Sequence, residues 1–184
     1  LILSKYAENY GDVDLTLSTG VTAQLKDKVL QYEIDGAFVT KGAVTKEPLL
    51  KQIDVFHENL VLISGKRETT FEEVIQLPII RFSDGCGYRA KLDEYLFDHN
   101  IVPMELGTLE TTLGSVISGL GVAYVPYSAV HEYEAKGLID CYQLPEQYSK
   151  ITTVFIYRHD EYITPALRKF VHTVEAVNKE VNEL

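Results

Sequence analysis

Five chemically active side chains lie close together in the stretch SDGCGYR, residues 83–89. The cysteine stands between Gly85 and Gly87, where an apolar strand is expected to pass into an amphipathic helix. Three interpretations are open: Cys86 is a reactive thiol, the backbone N–H groups cradle an anion, or the stretch is a tight turn without chemistry. Glycines let a ligand approach the backbone, and free N–H groups at a helix N-terminus attract negative charge. We therefore favour a small polar or anionic ligand here, with Ser83 and the backbone as contacts and Asp84 as a helix cap.

The thiol interpretation of Cys86 keeps two further functions open. A cysteine at a helix N-terminus can have its pKa lowered, which suits a redox sensor or a nucleophile. A redox sensor usually needs a resolving partner, and Cys141 is the only other cysteine. A nucleophile needs a base, and no histidine lies near Cys86 in the sequence. We expect no enzyme and no cofactor, because the sequence contains no Ser-His-Asp, Walker or Gly-x-Gly-x-x-Gly arrangement. We expect no metal, because the histidines lack metal-ligand spacing; they are His57, His99, His131, His159 and His172.

The elements that position these side chains follow from apolar periodicity. Strands are predicted at VDLTLSTG, IDGAFVT, LLKQIDVF, ENLVLIS, PIIRF, PMELGTL, GVAYVP, LIDCYQL and TTVFIYRH. Helices are predicted over Leu1–Tyr10, from a Thr22 cap, after a Thr70–Glu73 capping box, after Gly87, over Thr111–Leu120, over Ser128–Lys136 and from a Thr164 cap. The expected inner faces include Leu3, Tyr6 and Tyr10; Leu92, Tyr95 and Leu96; Leu113, Val116, Ile117 and Leu120; and Leu167, Phe170, Val171, Val174 and Val181.

Strands and helices that alternate in this way predict an α/β fold with mostly parallel sheets. Ligands of such sheets gather beyond the carboxyl ends of the strands. Three short polar loops are predicted there: Ser18–Gly20, Ser83–Gly87 and Thr108–Thr112. Thr108 is expected to offer a hydroxyl to a ligand, and Glu110 is as well explained as a carboxylate in the first turn of a helix.

Composition excludes several classes of function. The chain has 184 residues, a formal net charge of -10 and 46% hydrophobic residues. The acidic balance argues against binding of DNA or of an anionic membrane by this chain alone. The apolar content is enough for a core, and no apolar run approaches the ~18 residues that a membrane span needs. Two cysteines are too few for a disulfide framework and fit a reducing cytoplasm.

Three stretches then carry a resemblance to a known family: LSKYAENYGDVDLTLSTGVTAQLKDKVLQYEIDGAFV, ENLVLIS and TLETTLGSVISGLGVAYVP. Together they resemble the effector-binding domain of LysR-type transcriptional regulators. The resemblance implies two Rossmann-like lobes of periplasmic-binding-protein type II, joined by two crossing strands near Leu60–Gly65 and Val154–Arg158. Lobe I would be residues 1–62 plus 157–184, and lobe II residues 63–156.

The resemblance also implies a cytoplasmic regulator that binds a small effector between its lobes. Its contacts would be Ser18, Thr19, Gly20, Ser83, Gly85, Cys86, Gly87, Tyr88, Arg89 and Thr108. It implies a homodimer or homotetramer in which the first helix of one chain meets the helix Thr111–Leu120 of another. We expect the family's winged helix-turn-helix, through which it contacts DNA, and its first strand to be missing from this sequence. A solute-binding protein of a transporter would have the same lobes and stays an alternative.

Overall fold

The computed structural model describes residues 1–66, 70–95, 103–159 and 163–182, in which helices and strands alternate. The helices are α1 (Ile2–Asn9), α2 (Thr22–Leu30), α3 (Phe71–Val74), α4 (Gly87–Tyr95), α5 (Leu109–Ile117), α6 (His131–Ala135), α7 (Glu146–Ser149) and α8 (Pro165–Asn182). The strands are β1 (Gly36–Thr40), β2 (Leu50–Gly65), β3 (Ile79–Arg81), β4 (Pro103–Glu105), β5 (Val122–Pro126), β6 (Ile139–Gln143) and β7 (Lys150–Arg158). Two 3-10 turns, Lys41–Ala43 and Tyr127–Ala129, complete the regular structure of this part of the chain.

The strands β2 and β7 each contribute to both of the units into which the chain divides. Unit 1 comprises Leu1–His57 and Thr152–Leu184, and unit 2 comprises Glu58–Ile151. The lobe boundaries expected from the sequence lie further along these two strands and stay a prediction.

Unit 1 is built around the antiparallel pair of β1 and β7, whose register runs from Gly36 opposite Tyr157 to Thr40 opposite Thr153. The long helix α8 begins where the sequence predicts, because the Thr164 hydroxyl accepts the N–H of Leu167 at 3.2 Å. One face of α8 packs with α1 and β7 in a buried cluster of Ile2, Val55, Phe155, Tyr157, Val171, Val174 and Val177. A second cluster, with Val29 of α2, covers β1 and β7.

Unit 2 has a sheet in which β5 lies between β2, which is antiparallel to it, and β3, which is parallel. The strand β4 is parallel to β3, and β6 pairs with β2 in antiparallel fashion. Separate buried clusters cover the two faces: Leu60 and Leu92 belong to one, Val61 and Val116 to the other. Since β3, β4 and β5 are parallel, the residues that follow them emerge at one edge of the sheet, which we call the carboxyl edge.

The structure differs from three predictions about the strands and sheets: the existence of one strand, the separation of two others, and the direction of the pairing. The segment 14–21 has no regular secondary structure, although Val13, Leu15 and Leu17 alternate as in a strand. Leu15 and Leu17 are 42% and 68% exposed, and no strand among the described residues pairs with the segment. LLKQIDVF and ENLVLIS form the single strand β2, because no turn separates them. The sheets are mixed rather than mostly parallel, since β2 and β7 run against their neighbours.

Some helical details also differ from expectation. Thr22 does not cap α2: it is the first helical residue, is buried, and its hydroxyl accepts the N–H of Thr40 at 3.4 Å. Ile2 rather than Leu3 is buried on α1. Ile117 and Leu120 are 37% and 54% exposed, and Leu120 lies beyond α5, which ends at Ile117. The capping box predicted for Thr70 and Glu73 is confirmed, with both hydrogen bonds present.

A few predictions fall on residues that the structure does not describe. Leu96 and His99 lie outside the described ranges, and the side chain of Val181 is not described. None of the described helices is both long enough and apolar enough to cross a lipid bilayer.

Candidate functional site

The stretch that joins β3 to α4 is a tight turn. The N–H of Cys86 donates to the carbonyl of Ser83 at 3.2 Å, and Gly85 has a φ of 84°. A positive φ at this position of a turn favours glycine, because an L side chain there meets the backbone. The carbonyl of Cys86 accepts the N–H of Ala90 at 3.1 Å, so Cys86 is the N-cap residue that precedes the first residue of α4, Gly87. The turn interpretation therefore accounts for Gly85. Binding of a ligand by the N–H groups at the start of α4 stays a prediction.

The guanidinium of Arg89 is already surrounded by protein oxygens. It lies 2.9 Å from a carboxylate oxygen of Asp84, 3.0 Å from one of Glu105 and 3.5 Å from one of Asp93. It also donates to the carbonyl of Phe82 at 3.3 Å. The Arg89 side chain is only 18% exposed. This arrangement indicates that Arg89 belongs to an ion-pair network that joins α4 to β4. It argues against the alternative, in which the guanidinium is free to bind an effector carboxylate.

The hydroxyl of Thr108 caps α5. It accepts the N–H of Thr111 at 3.2 Å and lies 3.0 Å from the Thr111 hydroxyl. Glu110 occupies the first turn of the same helix, where a carboxylate interacts favourably with the helix dipole. Thr108 is exposed, so its role as an effector contact stays a prediction beside its role as a cap.

Sequence reasoning missed a polar group at the carboxyl edge. Leu60 of β2 lies opposite Pro126 of β5, so two residues outward Glu58 meets Ser128. The Ser128 hydroxyl donates to the Glu58 carboxylate at 2.7 Å. The only sequence signal for this pair is that each residue lies next to an apolar run, Leu60–Ile63 for Glu58 and Val122–Pro126 for Ser128. The register that joins the two strands cannot be read from either strand alone.

Tyr88, in the first turn of α4, belongs to the same edge. Its ring packs edge-on against Phe82 at a centroid distance of 5.9 Å and against the cluster that contains Leu60. Burial raises the pKa of Tyr88 to about 12, and the charges of Glu58 and Cys86 add to that rise. The phenol is therefore neutral at physiological pH and is available as a hydrogen-bond donor or acceptor.

Cys141 is chemically unsuited to resolve an oxidised Cys86. It lies on β6 opposite Ile63, and burial raises the pKa of its thiol to about 12. The Glu134 carboxylate, which accepts the Tyr127 hydroxyl at 2.9 Å, adds to that rise. Thiol–disulfide exchange requires a thiolate, so Cys141 is a poor partner for this reaction. Both cysteines are free and partly buried.

The three candidates of unit 1 lie apart from regular structure. Ser18, Thr19 and Gly20 are exposed in the irregular segment before α2. Neither hydroxyl has a hydrogen-bond partner among the residues that the structure describes, so both stay predictions as effector contacts. Within the same described ranges, no group of three or more His, Cys, Asp and Glu side chains is placed to hold a metal ion.

The sequence model of the LysR substrate binding domain family matches residues 1–179. The chain belongs to this family. Its relatives agree with this assignment. The chain is 49% identical over 177 residues to the HTH-type transcriptional regulator SoxR of Arthrobacter sp. (strain TE1826), and the alignment covers 95% of the chain and 61% of that protein. It is 44% identical over 177 residues to the HTH-type transcriptional regulator CzcR of Bacillus cereus (strain ZK / E33L), with the same coverage. The chain thus spans 61% of the length of these relatives.

Solved structures show the fold of this LysR domain. The effector binding domain of QuiR in complex with shikimate superposes with a TM-score of 0.80 at 17% identity, covering 97% of the chain and 89% of that structure. The regulatory domain of Synechocystis PCC6803 CcmR in complex with 2-PG gives a TM-score of 0.81 at 16% identity, with the same coverage. The α/β fold of periplasmic-binding-protein type II is therefore confirmed.

Proposed function

We propose that this chain is the effector-sensing and oligomerising part of a bacterial transcription regulator. The observation that carries the proposal is the LysR family match over residues 1–179. The relatives described above are named HTH-type transcriptional regulators and are longer than this chain. In the whole protein, a helix-turn-helix part would contact the promoter. Effector binding would shift the population of domain arrangements and thereby change how that part meets DNA.

The effector contact that we propose in unit 2 is the start of α4. Its N-terminal N–H groups lack partners within the helix and can bind a polar or anionic group. We keep Ser83, Gly85, Cys86, Gly87 and Tyr88 as contacts, chiefly through the backbone and the Tyr88 hydroxyl. The complexes of QuiR with shikimate and of CcmR with 2-PG support a small polar ligand.

The remaining predicted effector contacts are proposed to contribute less than the start of α4. The ion pairs of Arg89 and the cap formed by Thr108 reduce what these side chains can offer. Ser18, Thr19 and Gly20 are retained as contributions from unit 1, since their polar groups are exposed.

The assembly that we propose is a homodimer, with a homotetramer as the larger alternative. Apolar side chains are exposed on the two helices that the family resemblance implicates. Leu1 and Leu3 at α1 are 68% and 37% exposed, and Ile117 and Leu120 at the end of α5 are 37% and 54% exposed. Burial of such side chains against a second copy would stabilise the pair. We also propose a cytoplasmic location, where a regulator reaches DNA and where cysteines stay reduced.

Other functions are less well supported. No enzymatic activity is proposed, since the relatives are regulators. Those names also disfavour a solute-binding protein of a transporter. A redox sensor based on Cys86 is disfavoured by the raised pKa of Cys141.

The proposal is tested by a thermal-shift screen of the purified chain with organic acids, amino acids and sulfur compounds. We expect at least one small molecule to raise the melting temperature, because a ligand that binds only the folded state stabilises it. The Cys86→Ser variant should respond equally, with Cys141→Ser as the matched control, because the N–H groups in the first turn of α4 do not depend on this side chain. A response to peroxide that is lost only in Cys86→Ser would favour the redox sensor.

DNA binding is tested separately by gel shift with a defined promoter. The acidic chain alone should give no sequence-specific shift. A salt-resistant shift would contradict the proposal that DNA contact belongs to another part of the whole protein.

A further inference from the structure

Glu58 is a partly buried carboxylate at the carboxyl edge of unit 2. It lies on the same face of β2 as Leu60, since side chains alternate along a strand. The only hydrogen bond to the Glu58 carboxylate among the described residues comes from the Ser128 hydroxyl, at 2.7 Å. No ion pair in the part of the chain that the structure describes involves Glu58. The carboxylate is therefore oriented by Ser128 and can still pair with a cationic group.

The groups around Glu58 form a small polar cluster. Ser128 follows β5, and Tyr88 stands in the first turn of α4 after the neighbouring strand β3. Tyr88 packs on the apolar cluster of Leu60, on the same sheet face as Glu58. The Glu58 charge contributes to the raised pKa of Tyr88, which agrees with this proximity. The cluster therefore presents one carboxylate, two hydroxyls and the turn at Cys86.

The charge balance at this edge is negative. Arg89 is the cation nearest in sequence to the turn, and Asp84, Asp93 and Glu105 already surround it. The whole chain carries a formal net charge of -10. An effector that brought only negative charge would be repelled by Glu58. An effector with a positive group would instead make a charge-assisted hydrogen bond to a carboxylate that is already oriented.

We propose that the effector carries a protonated amine and that Glu58 binds it, with Ser128 orienting the carboxylate and the Tyr88 hydroxyl lying beside it. The ligand class is thus a small amine or amino acid rather than a simple organic acid. This inference rests on the proposed function, because it names the chemical class of the effector that this domain senses.

The experiment compares probes that differ only in the amine. Alanine, lactate and propionate form one such set, and the other common amino acids with their hydroxy-acid counterparts extend it. Melting temperatures and calorimetric affinities are measured for the unmodified chain, Glu58→Gln and Glu110→Gln. The glutamine at 58 keeps an oxygen that accepts from Ser128, so the fold is retained and is checked by circular dichroism. Glu110→Gln removes an equal charge from the same edge and is the matched control.

We expect an amine-bearing probe to stabilise the unmodified chain and the control variant. In Glu58→Gln its affinity should fall roughly tenfold to a hundredfold, which is the range for loss of a hydrogen bond to a charged group. The inference is overturned, and the proposed function stands, when only probes without an amine bind or when Glu58→Gln binds amines as tightly as the unmodified chain. Absence of binding by every probe of both kinds would overturn the proposed function itself.

Discussion

Replacement of Gly121 by alanine should destabilise the fold strongly, because the chain passes directly over another backbone segment there. A Cβ on Gly121 would lie 2.3 Å from the carbonyl oxygen of Pro78 and 3.2 Å from its carbonyl carbon. That oxygen also accepts the N–H of Val122 at 2.9 Å, which joins the start of β5 to the residue before β3. The two segments must separate by about 1 Å to reach ordinary van der Waals contact.

The magnitude follows from what that separation breaks. Loss of the hydrogen bond of Val122 costs about 1 kcal/mol. Strain from overpacking adds about 1–3 kcal/mol. The smaller entropy of the unfolded alanine chain offsets about 0.4–1 kcal/mol. These contributions sum to about 1–4 kcal/mol, and we therefore expect Gly121→Ala to lower the free energy of unfolding by about 2 kcal/mol.

Urea unfolding followed by circular dichroism measures this effect. With a slope of about 2–3 kcal/mol per molar urea for a chain of this size, the midpoint should fall by about 1 M. Gly114 is the matched control, since it is exposed on α5 and an added Cβ meets nothing within 4 Å. Alanine there should stabilise the helix by about 0.5–1 kcal/mol. An unchanged midpoint in Gly121→Ala, or an equal fall in Gly114→Ala, would refute the reasoning.

Three further outcomes are expected. Gly85→Val should lower the melting temperature, because a φ of 84° disfavours a β-branched residue. Gly85→Asn should lower it less, and equal melting temperatures for the two variants would mean that the turn does not constrain this position. With iodoacetamide at mildly alkaline pH, peptide mass spectrometry should find Cys86 alkylated well before Cys141. The Cys141 thiol, with a pKa of about 12, remains protonated at that pH and reacts slowly. The reverse order would contradict the environment assigned to Cys141. Light scattering should give a dimer mass for the unmodified chain and a monomer mass for Leu3→Glu or Ile117→Glu; a monomer before mutation would remove the assembly proposal.

The α/β class and the family could be predicted from the sequence because their signals are local. The capping box of Thr70 and Glu73 and the cap of α8 by Thr164 each involve residues three positions apart. Apolar periodicity likewise reports which face of an element is buried, and it correctly found Leu113 and Val116 of α5. Such patterns need no knowledge of what lies opposite them.

Other features were decided only by the tertiary structure, because they depend on contacts between residues that are distant in the chain. Val13–Leu17 alternates like a strand, yet a strand forms only where another strand supplies its hydrogen bonds. Arg89 is a suitable anion ligand in sequence terms, but Glu105 from β4 helps to neutralise it. The meeting of Glu58 with Ser128 depends on the register of β2 against β5, and a shift of one residue would turn Glu58 to the other face. The sequence therefore determined the kind of domain, and the pairing of its strands decided which polar groups meet at the carboxyl edge.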